Sequence, residues 1–414
     1  MTDDVSELVL GNNYKQTQAL SLAERRARER VGEYKRLMNA LESAGKLDRA
    51  LEFLPSDEEL NERATNGQGL TRPELSVLIS YSKIDLKEAL LKSTVPDDEY
   101  LAREVETAFP PQLANKFGEA MRSHRLKREI VSTQIANDLV NHMGITFVQR
   151  LKESTGMTAA HVAGAYVIVR DVFRLPHWWQ QIEALDHQVP AELQLQMMDE
   201  LMRLGRRATR WFLRSRRNEL DAARDVAHFA PRVEALALCL DELLEGPARE
   251  QWLARFQGYV EAGVPEELAR VVAGTSHLYT LLPIIEASDV TGQEPAQVAA
   301  AYFTVGGGAL ELSWYLQQIS SLPVENNWQA LAREAFRDDL DWQQRASTVS
   351  VLQMAEGPEE IEARVAHWLD QHRLLVNRWK SMLGELRAAT GTDYAMYAVA
   401  NRELMDLAQS AQHG

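Results

Sequence analysis

The chain carries one stretch twice. "TGMTAAHVAGAYVIVRDVFRLPHWW" begins at Thr155 and "TGQEPAQVAAAYFTVGGGALELSWY" at Thr291, and the two align without a gap at an offset of 136 positions. Thr155/Thr291, Gly156/Gly292, Ala160/Ala296, Val162/Val298, Ala163/Ala299, Ala165/Ala301, Tyr166/Tyr302, Val169/Val305 and Trp178/Trp314 are identical pairs. After the tryptophan the copies slip by one residue, and both then read Q-Q-I, at Gln180 to Ile182 and Gln317 to Ile319. The period is far beyond that of solenoid repeats, so it predicts two similar halves and not an array. In the first copy Val162, Tyr166, Val169 and Phe173 fall at i, i+4, i+7 and i+11, a helical stripe. The fold this predicts is all-α: a multi-helix domain with two internally similar helical halves.

The second copy contains Gly306, Gly307 and Gly308, which raises the question of a phosphate-cradling loop. A dinucleotide fingerprint needs G-x-G-x-x-G or A between a strand and a helix. Gly306 and Gly308 take the first two places, but the third falls on Glu311, whose charge is wrong for a pyrophosphate at a helix N-terminus. A Walker loop needs G-K-[ST], and no lysine follows. The glycines stand where the first copy has Arg170, Asp171 and Val172. They therefore predict a weak or bent point between helical pieces, at about 1 kcal/mol per glycine relative to alanine in a helix.

The rest of the chain reads helical as well. "SLAERRARERVGEYKRLMNALESAGKLDRALEFL" predicts a long helix followed by a short one. Ser56 is an N-cap with Glu59 three residues on, and Thr71 is another, with Pro73 in the first turn and Glu74 at the third position. Leu126, Ile130, Ile135 and Leu139 give a further stripe that Gly144 ends. Prolines stand at element starts or in links, and no hairpin dipeptide lies between alternating runs. The later tryptophans, Trp328, Trp342, Trp368 and Trp379, predict core anchors. We divide the chain into an N-terminal helical segment, 1–70, a first half, 71–245, and a second half, 246–414.

At 414 residues, with 45% hydrophobic and 25% charged residues, the chain has the composition of a soluble globular protein. Its net charge of −15 argues against general nucleic-acid binding. No apolar run reaches the length of a membrane span, and the acidic N-terminus is neither a secretory signal nor a presequence. The single cysteine, Cys239, excludes an intrachain disulfide and reads as a buried small hydrophobe. His367 and His372 are five apart, off the register for two metal ligands on one helix face. "RDDL" at Arg337 to Leu340 reads as a solvated or salt-bridged turn. No residue is assigned to catalysis, cofactor binding or metal binding.

One feature stands above this background. Arg203, Arg206, Arg207, Arg210, Arg214 and Arg217 fall at i, i+3, i+4, i+7, i+11 and i+14, a continuous basic stripe, with Leu201, Leu204, Ala208, Trp211 and Phe212 opposite. Like charges at this spacing repel, so anionic groups must face them. Three kinds would serve: the chain's own Asp and Glu, a subunit or domain interface, or an anionic effector or nucleic acid. Guanidinium forks suit carboxylates in each case.

"GLTRPELSVLISYSKIDLKEALLKS", "HRLKREIVSTQIANDLVNHMGITFVQRLKESTG" and "NNWQALAREAFRDDLDWQQR" together resemble the C-terminal region of the large-subunit bacterial NAD-specific glutamate dehydrogenases, and the start resembles the segment that leaves their catalytic core. The resemblance implies a cytoplasmic parent enzyme that oxidises glutamate with NAD, a homo-oligomer. The catalytic lysine and the nucleotide-binding domain then lie upstream, so NAD belongs to the parent and none to this chain. The implied role is structural, oligomerising or regulatory, with the catalytic core as partner; Met1 is then an internal or introduced start. The alternative is an autonomous helical scaffold that binds a protein partner.

Overall fold

A computed structural model describes residues 2–216, 219–389, 391 and 393–413. Among them are twenty-one α-helices and no strand. In chain order these are α1 (Thr2–Arg25), α2 (Val31–Ser43), α3 (Asp57–Thr65), α4 (Arg72–Leu91), α5 (Pro111–Arg122), α6 (Lys127–Met143), α7 (Phe147–Thr155), α8 (Ala159–Val172), α9 (Leu175–Glu183), α10 (Ala191–Ser215) and α11 (Ala222–Leu238). There follow α12 (Leu240–Leu243), α13 (Gly246–Glu261), α14 (Glu266–Leu278), α15 (Leu281–Thr291), α16 (Pro295–Thr304), α17 (Leu312–Ser321), α18 (Asn327–Gln353), α19 (Ile361–Gln371), α20 (Arg373–Ala388) and α21 (Tyr394–His413). Two 3₁₀ segments, Val95–Asp97 and Tyr100–Ala108, precede α5, and a π-helical turn, Val305–Ala309, joins α16 to α17.

The helix ends follow local chemistry. Ser56 Oγ accepts the Glu59 backbone N–H at 3.2 Å, and the Thr71 N–H donates to Glu74 Oε2 at 2.7 Å. Gly144, with φ 93°, stops α6. Other expectations are corrected. The long helix predicted from Ser21 is broken at 26–30, where residues 67–70 cross so closely that a Cβ on Gly69 would stand 2.5 Å from the Ala27 carbonyl carbon. The short helix predicted after it is a turn over 49–53. Leu126 is exposed just before α6, whose buried stripe is Val131, Ile135 and Leu139. Arg337 to Leu340 lie inside α18 and form no turn. Trp368 and Trp379 are core, but Trp342 is half-buried and Trp328, in the first turn of α18, is 81% exposed. Cys239 is half-buried.

The helices divide into two compact units, Met1–Trp179 with Ala191–Val226, and Gln180–Pro190 with Ala227–Gly414. In the first, α8 is central and packs on α4, α6, α7 and α10. Its sequence is apolar nearly all round, which is what full burial requires. In the second, α16 packs on α15, α18 and α19, and Tyr315, Trp368, Trp379, Phe336 and Tyr397 build the neighbouring core. No single helix among the described residues is long and apolar enough to cross a membrane.

The repeat is visible in the element order. α7 and α15 end at Thr155 and Thr291, each followed by a left-handed glycine, Gly156 at φ 73° and Gly292 at φ 67°. Thr155 Oγ1 bonds Leu151 O and accepts from Met157 N; Thr291 Oγ1 bonds Ala287 O and accepts from Gln293 N. α8 and α16 follow, then a single left-handed residue, Arg174 at φ 52° and Glu311 at φ 54°, and then α9 and α17. These last landmarks are 137 apart, one more than before. The extra residue lies in the π-helical turn, where Leu310 N–H reaches back five residues to Val305 O at 3.1 Å. The slip thus precedes the tryptophan and does not follow it. Buried Trp178 matches buried Tyr315, and the expected pairing of Trp178 with half-buried Trp314 is corrected.

Candidate functional site

The arginine stripe does not form one free face. Arg203 and Arg214 are exposed, Arg206 and Arg207 are half-buried, and Arg210 is buried. Arg203 donates to Glu200 Oε1 at 3.0 Å, and Arg210 donates to Ser154 Oγ at 2.5 Å. Arg206 acts on Glu33, which accepts from Thr146 Oγ1 at 2.8 Å and lies 3.3 Å from Arg150. Burial pushes the Glu33 carboxyl up, but Arg150, Arg30, Thr146 and Arg206 outweigh it and hold the group below its usual range. None of Arg206, Arg207, Arg210 and Arg214 is without a partner. Arg217 lies outside the described residues.

The densest charge cluster is elsewhere, on α8, and the sequence reading missed it. Arg170 is buried one turn past buried Tyr166. Its guanidinium forks onto Glu104, with Nη2 to Oε1 at 2.6 Å and Nη1 to Oε2 at 3.3 Å. It also reaches Asp138 Oδ2 at 3.2 Å and Asp171 Oδ1 at 3.1 Å. Tyr166 donates to Asp138 Oδ2 at 3.1 Å, and His142 Nδ1 meets Asp138 Oδ1 at 2.7 Å, with the His142 ring stacked on Trp179 at 5.1 Å. Tyr100 donates to Asp171 Oδ2 at 3.0 Å, and Arg103 pairs with the same carboxylate. Burial alone would raise the Asp138 carboxyl, but His142 and Arg170 hold it far below the ordinary range. The Tyr100 hydroxyl is pushed up to about 12, chiefly by burial and then by Asp171. The signal for this cluster was a lone arginine inside an otherwise apolar helix, since such a charge must be paired. Chemically it is closed: one buried cation has its donors taken by three carboxylates, an arrangement that clamps α8 to α6 and to Tyr100–Ala108.

Two further features bear on chemistry. Burial lowers the Lys83 ammonium to about 8, with no other cause. A cleft of about 520 Å³ is lined by Glu24, Arg28, Arg63, Gly69 and Thr71, among others. Of its two arginines, Arg63 is already paired with Glu74 at 2.8 Å, and Glu74 also takes the Thr71 N–H. Among the described residues no three His, Cys, Asp or Glu side chains converge on a metal position. His372 Nδ1 stands 2.9 Å from Trp368 O, and His367 Nε2 stands 3.1 Å from Gln371 Nε2. The Cys239 thiol titrates high, chiefly through burial.

The glycines make no cradle. A Cβ on Gly306 would stand 2.1 Å from Gln344 Nε2, because that amide lies against the turn and donates to Tyr302 O at 3.0 Å. The next N–H groups turn inward, Leu310 to Val305 O and Glu311 to Gly307 O at 3.0 Å. Glu311, at the start of α17, is ion-paired with Arg387, whose guanidinium lies 4.4 Å from the Trp314 ring centre. A pyrophosphate needs converging free N–H groups at a helix N-terminus; here a carboxylate holds that place.

The family described as "Glutamate dehydrogenase, C-terminal" matches residues 67–406. The chain is 81% identical over its whole length to an NAD-specific glutamate dehydrogenase of Pseudomonas aeruginosa, covering 26% of that protein. It is 51% identical over 99% of its length to one of Halomonas elongata, and 33% identical over its whole length to one of Mycobacterium tuberculosis, covering 25% of each. The chain thus spans about a quarter of the length of these relatives.

Proposed function

Because the chain belongs to the glutamate dehydrogenase C-terminal family and forms a C-terminal part of a large NAD-specific glutamate dehydrogenase, we propose that it holds and assembles the catalytic remainder of that enzyme and does no chemistry itself. The parent reaction in this reading is L-glutamate, NAD and water to 2-oxoglutarate, ammonia and NADH, in the cytoplasm, in a homo-oligomer. The observation that carries the non-catalytic part is the closed glycine turn: Gly306 is sealed by Gln344, and the N-terminus of α17 faces Glu311.

Hydride transfer from glutamate needs a nicotinamide site and a base of lowered pKa in the same cleft. Lys83 has the lowered pKa, but it sits mid-helix on α4, outside the cleft lined by Arg28 and Arg63. Lys380 is exposed on α20. The chain's chemistry is that of packing: helices with their own caps and two central apolar helices, α8 and α16. NAD cannot be cradled there, and it belongs to the remainder.

Titration of the purified chain with NAD, beside a glutamate-dependent NADH absorbance assay, tests this. No micromolar binding and no turnover are expected. Micromolar binding or turnover overturns the reading.

A further inference from the structure

The turn between α2 and α3 combines two costs that a folded chain does not keep without reason. Phe53 adopts φ 53°, the left-handed region that penalises every residue with a Cβ. Its ring is also 89% exposed, and Leu51 beside it is 75% exposed. Neither reflects a loose loop. Asp48 Oδ1 accepts the N–H groups of Ala50 and Leu51 at 3.0 and 3.2 Å, and Leu54 N–H donates to Arg49 O at 2.9 Å. Buried Arg49 anchors the base, with Nη1 donating to Pro55 O at 3.2 Å and to Asp57 at 2.8 Å. Tyr81 of α4 donates to Glu52 Oε1 at 2.6 Å, which sets the turn against a helix face where Ile84 is also exposed. The scaffold is rigid, and it holds two large apolar side chains outward.

We propose that this turn is a docking knob, with Phe53 and Leu51 at its tip, seated in an apolar pocket with a basic rim on the part of the large glutamate dehydrogenase outside this chain. The proposal rests on the reading of the chain as part of that enzyme. Two observations choose the occupant. The relatives are about four times as long, so most of the protein lies beyond these residues. The knob and its flanks also carry Glu42, Asp48, Glu52, Asp57 and Glu58. Arg49 offsets Glu42 and Asp57, Lys35 also meets Asp57, and Lys46 is held by Asp85 and Glu88, whereas Asp48 and Glu52 accept from backbone N–H groups and from Tyr81, so the rim stays acidic. A second copy of a chain with net charge −15 would meet this rim with like charge. A basic-rimmed pocket would not. Rigid aromatic anchors in such pockets supply most of an interface's energy.

The test uses the intact enzyme and this chain alone, each with p-benzoylphenylalanine in place of Phe53, and each also as Phe53→Gly. On irradiation of the intact enzyme, the cross-linked peptide should come from outside these 414 residues. Phe53→Gly relieves the left-handed strain, so the chain alone should unfold at the same or a higher temperature. The intact enzyme should unfold a few degrees lower. Opposite signs in the two settings support docking. No cross-link, a cross-link only within this chain or to a second copy of it, or the same sign in both settings overturns the proposal. NADH production by the isolated chain would count against the non-catalytic reading and leave the cross-link result standing, so the two failures are distinguishable.

Discussion

The two copies of the repeat begin alike and end differently. Tyr166 and Tyr302 are both buried in central helices. Four residues later the first copy places Arg170 and the second Gly306. Around Arg170 the first unit buries an ionic cluster. The second unit instead buries neutral hydrogen bonds: the Tyr315 hydroxyl lies 2.8 Å from Asn401 Oδ1, to which it donates, and 3.0 Å from Tyr397 O, Gln343 donates to Asn401 O at 2.9 Å, and Trp379 Nε1 donates to Leu310 O at 2.9 Å. A central apolar helix, α8 or α16, is thus compatible with either solution. What differs is the response to pH, because only ionised groups link folding to protons.

Acid should separate the units most. The carboxyls held well or partly below their ordinary range and at least part-buried, Asp138, Glu33 and Glu74, all belong to the first unit. In the unfolded chain Asp and Glu titrate near about 3.9 and 4.3. Folded values below these mean that the stabilisation is complete above about pH 4–5 and is lost as the pH falls through the folded values. Amide exchange followed over α8 and α16 separately should show α8 opening at a higher pH than α16. Simultaneous opening would erase the contrast between ionic and neutral interiors.

Arg170→Ala comes next. It leaves Glu104 with only the more distant Arg103, at 3.9 Å, and Asp138 with only His142, and removing one partner of a buried pair costs about 3–5 kcal/mol. Denaturant unfolding should show the first unit losing that much and the second unchanged. Tyr166→Phe removes one bond to Asp138 while Arg170 and His142 remain, so the expected loss is about 1 kcal/mol. A loss for Tyr166→Phe as large as for Arg170→Ala would mean that the hydroxyl, and not the ion pair, organises the cluster.

Much of this was legible in the sequence, and the limits have physical causes. Caps such as Ser56 and Thr71 act over three residues, so they read directly. The offset of 136 positions was legible in the sequence as well, but the position of its slip was not. A π-turn adds one residue without breaking the helix, and chance identity of Trp178 with Trp314 disguised the shift. The Arg170 cluster was opaque because its partners Glu104 and Asp138 lie on other elements, brought near only by packing. Trp328 misled: a large aromatic was assigned to the core, and it stands 81% exposed in the first turn of α18.

The smallest effect sharpens the comparison at its turning point. Of the three glycines, only Gly306 has a neighbour where a Cβ would go. Gly306 has Gln344 where a Cβ would go, so alanine there must push the amide off Tyr302 O. Gly307 sits at φ −83° and ψ −107°, with nothing within 4 Å of an added Cβ. Gly308 is exposed, with nothing within 4 Å of an added Cβ and no left-handed φ. Its glycine serves only to loosen the unfolded chain, so Gly308→Ala should stabilise the second unit by about 0.4–1 kcal/mol. For a unit of this size each kcal/mol moves the midpoint by about 2–4 °C. Thermal unfolding should therefore rank Gly308→Ala above the parent chain and Gly306→Ala below it. Equal effects at Gly306 and Gly308 would mean that Gln344 does not seal the turn. The Gly306 side of the comparison, and with it the physical case against a nucleotide cradle, would then fail.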